Sequence, residues 1–425
     1  NENKFTSHRY SDSVVRGNYA DSLISVIFNT NNIVNTKNII EKFIKNSKDS
    51  SKIQFCIKID NDDFSLSVQR PELASSLPPG VYTSEDMTER EINHFFRQSW
   101  IGVGRSDVVS VPGDYIALDI AKQKIILVRD NQNNLRAFAN TCRHRSARIV
   151  DGKGSCKGFR CPFHSWFYDL EGKLISAPNM TQAYDFQKNK NGLIQFQAEE
   201  RFGFAFVCLK KDSPDLDTWL GNFFKFHEGW PLSDLKSIRR REIVVNCNWK
   251  MFLEVFNEYY HLPFVHPDSV NNLYNKPNPA DEVKGNFATQ FGTTEGTGGL
   301  LEESQKYALP DMPNLTGEAK LGARYTWLFP NMTFALSKDS LWCYEAYPLG
   351  ADRCLVYQTA CFPQESIRLK DFHKKSAQYL ERLDKALDED IPALINQQQG
   401  MSCREALPGR FQPELEANVA SFAFW

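Results

Sequence analysis

The chain has no apolar run near the roughly 18 residues that a membrane-spanning helix requires. Its stretch Leu23–Phe28 is far too short and lacks the layout of a secretion signal. Net charge is almost absent, −2 from 50 basic and 52 acidic residues, so no basic field points to nucleic acid or an anionic membrane. Densely spaced cysteine is absent too. The ten Cys are scattered over 425 residues, which excludes a small disulfide scaffold and fits a reducing, cytoplasmic setting. There is no G-x-G-x-x-G, because Gly102-Val103-Gly104 lacks the third glycine, and no C-x4-C-x2-C. Nothing therefore reads as a reductase. Asn1 stands where a starting Met would, so a trimmed or fragmentary chain is expected.

What remains is an ordinary globular composition, 41% hydrophobic and 24% charged, long enough for two or three domains. Residues 1–75 are rich in Asn, Ser, Lys and Asp. They read as strand (Leu23–Phe28), helix (Val34–Asn46), strand (Ile53–Ile59) and the acidic run Asp60–Asp63. Pro71–Pro79 reads as a linker, and Ser84 caps a helix expected to run to Trp100. From Val108 to Leu209 short β-runs dominate. Lys124–Val128 and Leu135–Ala139 flank Asn131–Asn134 as a hairpin. Glu242–Val245 is a further strand, and Asn248–Tyr260 is helical, with Pro263 expected to end it. Aromatic β-runs at Tyr325–Phe329 and Leu355–Phe362 precede a charged helix from about Ser366 to Asn396.

Two clusters carry chemistry. The first is Cys142-Arg143-His144 and, after a gap of 16 residues, Cys161-Pro162-Phe163-His164. Each arm offers one thiolate and one imidazole, the ligand set of a [2Fe–2S] centre in which two His replace two Cys on one iron. A Cys₂His₂ zinc site competes, but zinc fingers pair Cys with Cys and His with His. The second cluster is His261 and His266. Two His plus one carboxylate, with positions left open, is the ligand set of Fe(II) oxygenases. Residues five apart on a straight helix point roughly 140° from each other. Both rings can share one ion only if the helix breaks, and Pro263 offers the break. Glu258, three residues before His261, is expected on the same helix face.

The runs CRHRSARIV (Cys142–Val150) and CPFHSWFYDLEGKL (Cys161–Leu174) resemble the Rieske domain of ring-hydroxylating oxygenase α subunits, with Ser165 where glycine is usual. The resemblance covers about residues 76–425. It implies an α+β fold with a β-rich Rieske domain at 100–212, after a linker and helix at 76–99. A helix-grip catalytic domain with an antiparallel sheet follows at 213–425. It implies Cys142, His144, Cys161 and His164 on a [2Fe–2S] cluster, and His261, His266 and a distant carboxylate on a mononuclear Fe(II) that uses O₂. The segment Leu387–Ser402 is similar to the family's last-helix motif, which assigns Asp390 as that carboxylate ahead of Asp388 or Glu389. Glu258 takes the place of a bridging carboxylate that carries electrons between neighbouring subunits of a homotrimer. A Glu there resembles the members that act on carnitine-like quaternary amines.

The function so implied is an oxygenase fed by a separate NAD(P)H reductase. Its substrate is a methylated quaternary amine or, alternatively, an arene; Tyr259, Tyr260, Trp327, Phe329, Trp342 and Tyr344 are candidate cage or wall residues. A pure electron-transfer Rieske protein or an inactive fusion fragment is the reading from another class. Residues 1–75 resemble the opening of a family 2 glycosyltransferase over some 40 residues. That is too little for a sugar-nucleotide site, so a vestigial segment is expected.

Overall fold

The computed structural model describes residues 8–10, 13–15, 24–28, 53–57, 64–69 and 72–425. The chain divides into two units, Asn1–Leu66 and Ser67–Trp425. In the first, β1 (His8–Tyr10) and β2 (Ser13–Val15) pair antiparallel. Strand β3 (Ile24–Phe28) pairs in parallel with β4 (Ile53–Ile57), Ile24 opposite Ile53. Both apolar runs therefore form the strands expected of them. The helix expected at Val34–Asn46 and the run Asp60–Asp63 lie outside the described residues.

In the second unit the Pro-rich stretch before the first helix is packed rather than free. Ala74 and Leu77 are buried, and the Ser76 N–H donates to the Gly409 carbonyl at 2.8 Å. Helix α1 (Glu85–Glu91) starts as expected, with the Ser84 hydroxyl accepting from the Met87 N–H. It widens into a π-helical turn over Ile92–Phe96 and so ends just short of Trp100. The run from Trp100 to Arg105 is buried on every residue and forms a strand at the end of a sheet instead.

Two antiparallel sheets follow. The first contains β5 (Trp100–Arg105), β6 (Asp114–Ile120), β7 (Gln123–Arg129), β8 (Leu135–Ala139), β9 (Lys153–Ser155), β13 (Gln195–Arg201) and β14 (Phe204–Cys208). Their order is β5-β14-β13-β8-β7-β6-β9. The β7–β8 hairpin forms where the Asn-rich turn places it. Asp130 Oδ1 accepts from the N–H groups of Gln132 and Asn134, and Asn133 takes φ +65°. Three short strands, β10 (Phe159–Arg160), β11 (Phe167–Tyr168) and β12 (Leu174–Ser176), make a small separate sheet.

The second large sheet has β15 (Leu235–Val245), β16 (Phe287–Thr293), β17 (Gly322–Leu328), β18 (Met332–Leu336), β19 (Leu341–Pro348) and β20 (Cys354–Pro363), in the order β15-β20-β19-β18-β17-β16. Helices α2 (Trp249–Phe256), α3 (Leu262–Val265), α4 (Phe372–Met401) and α5 (Ala417–Phe424) complete this α+β arrangement. Tyr379, Leu383, Leu387 and Leu394 lie on one apolar stripe of the 30-residue α4 and are buried. That stripe sets the rotation of α4 and brings its residues 382–390 against α3 and the end of α2. The core between sheet and helices holds Trp249, Trp327 and Trp342, all at most 2% exposed. Each such ring removes on the order of 200 Å² from water, worth roughly 5 kcal/mol before entropy. Among the described residues no helix is long and apolar enough to cross a membrane.

Candidate metal centres

The first centre is built by two loops that repeat one backbone design. In the loop after β8 the Ser146 N–H bonds to the Cys142 carbonyl (2.9 Å) and the Cys142 N–H to the Ala147 carbonyl (2.8 Å). In the loop after β10 the Ser165 N–H bonds to the Cys161 carbonyl (3.1 Å) and the Cys161 N–H to the Trp166 carbonyl (2.8 Å). Each loop turns on a left-handed residue, Ser146 at φ +57° and Ser165 at φ +59°. The second is the place where glycine is usual, so the positive φ that glycine would supply is present and a serine bears it. Both thiols are buried, while His144 is half-buried and His164 exposed. The imidazole Nδ1 atoms face each other at 3.2 Å, and the His144 ring stacks on Trp166. Tyr168 Oη lies 3.3 Å from Cys142 Sγ and accepts from the Arg143 N–H. Burial, then His164 and Arg145, pushes the His144 pKa down, which keeps that ring neutral and able to ligate.

The second centre lies on α3, its flanks and α4. Helix α2 ends at Phe256, earlier than expected, and Asn257 turns its amide back to the Leu253 carbonyl. Pro263 does not break a helix. It sits in the first turn of α3, where a missing N–H costs nothing. His261 and His266 are the residues flanking that one-turn helix, so both rings reach the same side. Glu258 is not on a helix face with His261. It caps the turn, accepting from the N–H groups of Tyr260 and His261 and bonding His261 Nδ1.

The donors then converge. His266 Nε2 lies 2.9 Å and His261 Nε2 3.7 Å from Asp390 Oδ1, and the three ligating atoms sit within 4.8 Å of one another. Asp390 Oδ1 is buried with no hydrogen-bond partner. Each ring's Nδ1 is held by a carboxylate, Glu258 for His261 and Glu389 for His266 (2.6 Å). Glu389 also accepts from the Ser269 hydroxyl (2.6 Å). That leaves both Nε2 atoms free and both tautomers fixed, the arrangement an imidazole needs to bind a metal. Burial opposes the imidazolium at His261, but Glu258 and then Asp390 outweigh it and hold this pKa above its ordinary value. Asp388 is exposed and takes no part.

Both donor sets suit the groups expected of them. Among the described residues, His261, His266 and Asp390 alone bring three such donors within a single-ion sphere. Cys142, His144, Cys161 and His164 do not close that tightly. Their spread, with thiols inside and imidazoles outside, fits a two-iron cluster better than one zinc ion.

The metal donors border a narrow cleft of about 50 Å³. Of the six candidate cage aromatics only Tyr259 and Tyr344 line it, joined by Phe256 and Tyr325. Trp327 and Phe329 instead pack on Phe422 in the core, Tyr260 is exposed, and Trp342 lies over the guanidinium of Arg382. Sequence reading missed Arg382, Phe256 and Tyr325; the periodic position of Arg382, two turns before Asp390 on α4, was the available signal.

Comparison with known proteins agrees with this geometry. Residues 99–195 match the Rieske [2Fe-2S] domain family, and residues 232–425 match the ring hydroxylating alpha subunit (catalytic domain) family. The glycine betaine monooxygenase oxygenase subunit of Chromohalobacter salexigens is 31% identical over 199 residues, 47% of this chain and 44% of that one. The carnitine monooxygenase oxygenase subunit of Escherichia coli is 32% identical over 229 residues, 52% of this chain and 60% of that one. The matched segments thus span about half the length of these curated relatives. The crystal structure of a quaternary ammonium Rieske monooxygenase in complex with L-carnitine superposes with a TM-score of 0.71 at 23% identity, covering 86% of this chain and 98% of that one. With both family domains matched in order and the fold shared along most of its length, this chain joins a Rieske [2Fe-2S] domain to the catalytic domain of a ring hydroxylating alpha subunit.

Proposed function

We infer that the chain is the oxygenase component of a two-component system. It takes electrons from a separate NAD(P)H reductase and uses O₂ to oxidise a methylated quaternary amine, by demethylation or C–N cleavage. Residues 100–212 hold the electron-accepting cluster through Cys142, His144, Cys161 and His164. Residues 213–425 hold iron through His261, His266 and Asp390. When bound, the cluster supplies single electrons and the ferrous ion supplies O₂ activation at a C–H bond.

The remaining work falls to the chain's own side chains. Glu258 and Glu389 orient the imidazoles. Glu258 also offers a carboxylate to a histidine of a neighbouring subunit, in a homotrimer where one copy's cluster serves the next copy's iron. Phe256, Tyr259, Tyr325 and Tyr344 exclude water and present aromatic faces to a cation.

The observation that carries this reading is the convergence of His261, His266 and Asp390 at the wall of an aromatic cleft. The iron-loaded protein, a reductase and NADH should consume O₂ and release formaldehyde with methylated amines. Turnover of arenes alone would replace the amine reading. A protein with only the two cluster irons and no turnover would be an electron carrier. In the same assay Glu258→Gln should retain both metals but lose about 10–100-fold in turnover; near-normal turnover removes Glu258 from the electron path.

A further inference from the structure

A cation already sits in the cleft that borders the metal donors. Arg382 lines it and is 5% exposed. Its Nη2 donates to the Tyr274 hydroxyl at 3.1 Å, its guanidinium lies 4.8 Å from the Trp342 ring centroid, and its Nε is buried without a partner. The groups that act on it are the tyrosines 274, 325 and 344. Of the acids beside it on the helix, Glu381 accepts from the Gln378 side-chain amide at 3.0 Å, and Asp384 is taken by Arg239 and Arg241 at 2.7 and 2.9 Å. Among the described residues Arg382 thus has no counter-ion. A buried charge in that position is costly unless something pairs with it. Evolution of a stable core alone would favour an apolar residue of the same volume.

The placement of Arg382 says what pairs with it. Arg382, Ala386 and Asp390 line the cleft at i, i+4 and i+8 of α4, so their backbone positions are about 12 Å apart along the axis at the two ends. Ala386, with its single methyl, leaves the space between them open. A planar guanidinium with a free edge selects a carboxylate, which accepts two parallel hydrogen bonds. The same charge repels a bare cation in a low-dielectric cleft.

We propose that Arg382 is the anion anchor of the substrate cleft, and that the substrate is a zwitterion whose carboxylate binds Arg382 while its ammonium end lies among the aromatics nearer the metal donors. This rests on the amine reading above and adds a requirement to it. A trimethylammonium compound without an acid group is excluded by the very residue that recruits one with it.

Calorimetric titration of the anaerobic, iron-loaded protein tests the anchor without turnover. Four probes suffice: 4-(trimethylammonio)butanoate, its primary amide, 2-(trimethylammonio)ethanol and benzoate. Wild type should bind the carboxylate about 30-fold more tightly than the amide. Arg382→Met should lose most of that ratio and bind the amino alcohol more tightly than wild type does. It should also melt higher than wild type without ligand, because an unpaired buried charge has gone. Arg382→Lys should keep the charge but only part of the ratio. A wild-type protein that binds carboxylate and amide alike overturns the anchor, and this comparison needs no variant to fold. An Arg382→Met protein that keeps the full ratio does the same. The two proposals fail differently. Benzoate binding that depends on Arg382, with no trimethylammonium compound bound, sustains the anchor and ends the amine reading. Amino alcohol bound as tightly as carboxylate in wild type sustains the amine reading and ends the anchor.

Discussion

Glu389 accepts a hydrogen bond from Nδ1 of His266 at 2.6 Å, which turns the ring so that Nε2 faces Asp390 at 2.9 Å. Adjacent carboxylates of one helix therefore divide the work on one imidazole: Glu389 orients it, and Asp390 stands beside it as a fellow donor. Glu258 stands in the same relation to Nδ1 of His261.

Glu389→Ala should weaken iron binding at the mononuclear site about 10–100-fold, the usual loss when a ligand's outer partner is removed. Iron titration followed by metal analysis measures this. The cluster's visible spectrum should not change. An unchanged iron affinity would show that Ser269 and packing position His266 without Glu389.

The reading from sequence was strong where ligands are close in the chain and weak where partners are distant. Both Cys/His arms and the pair His261/His266 stand in short runs, so spacing together with family resemblance singles them out, and the fold brings each group together. The helix ends at Phe256 rather than near Pro263, and Pro263 sits in the first turn of the next helix, where proline is well tolerated. Asn257 ends α2 through bonds to the Leu253 carbonyl and to Thr333, a residue 76 positions away that no local pattern reveals. Trp327 and Phe329 were candidates for the cleft, but their ring partners Phe422 and Trp425 come from the last helix and its end. Arg382 was hidden in a helix that reads as charged and solvated, since only the packed rotation of α4 shows which charges face inward.

Burial carries Glu254 up to about 7, against the opposing effects of the Tyr82 hydroxyl (2.7 Å) and Lys250. A carboxyl whose folded pKa exceeds its unfolded value of 4.5 favours folding most when both states are protonated. Its contribution is thus present below about pH 4.5 and is lost as pH rises through about 7. Glu254→Gln should match wild type in melting temperature near pH 4 and exceed it at pH 8, by up to about 3 kcal/mol of stability. Melting curves of both proteins across that range decide it. A difference that does not vary with pH would mean that Glu254 does not titrate there.

Ser165 holds φ +59° with an exposed side chain and a backbone carbonyl that accepts from Arg160. Glycine adopts that conformation without the Cβ penalty, though it gives back part of the gain in unfolded-chain entropy. Ser165→Gly should raise stability by about 0.5–1 kcal/mol and leave the cluster spectrum intact. A drop in melting temperature would show that the serine hydroxyl contributes more than the strain costs.

Counting iron tests the central claim most directly. The account places a two-iron cluster on Cys142, His144, Cys161 and His164 and a lone iron on His261, His266 and Asp390. Anaerobically loaded wild type should hold about three Fe per chain with the spectrum of a half-histidine cluster. Asp390→Ala should fall to about two with that spectrum unchanged. A wild-type protein without the cluster signature, or an Asp390→Ala protein that still holds all three, would contradict it.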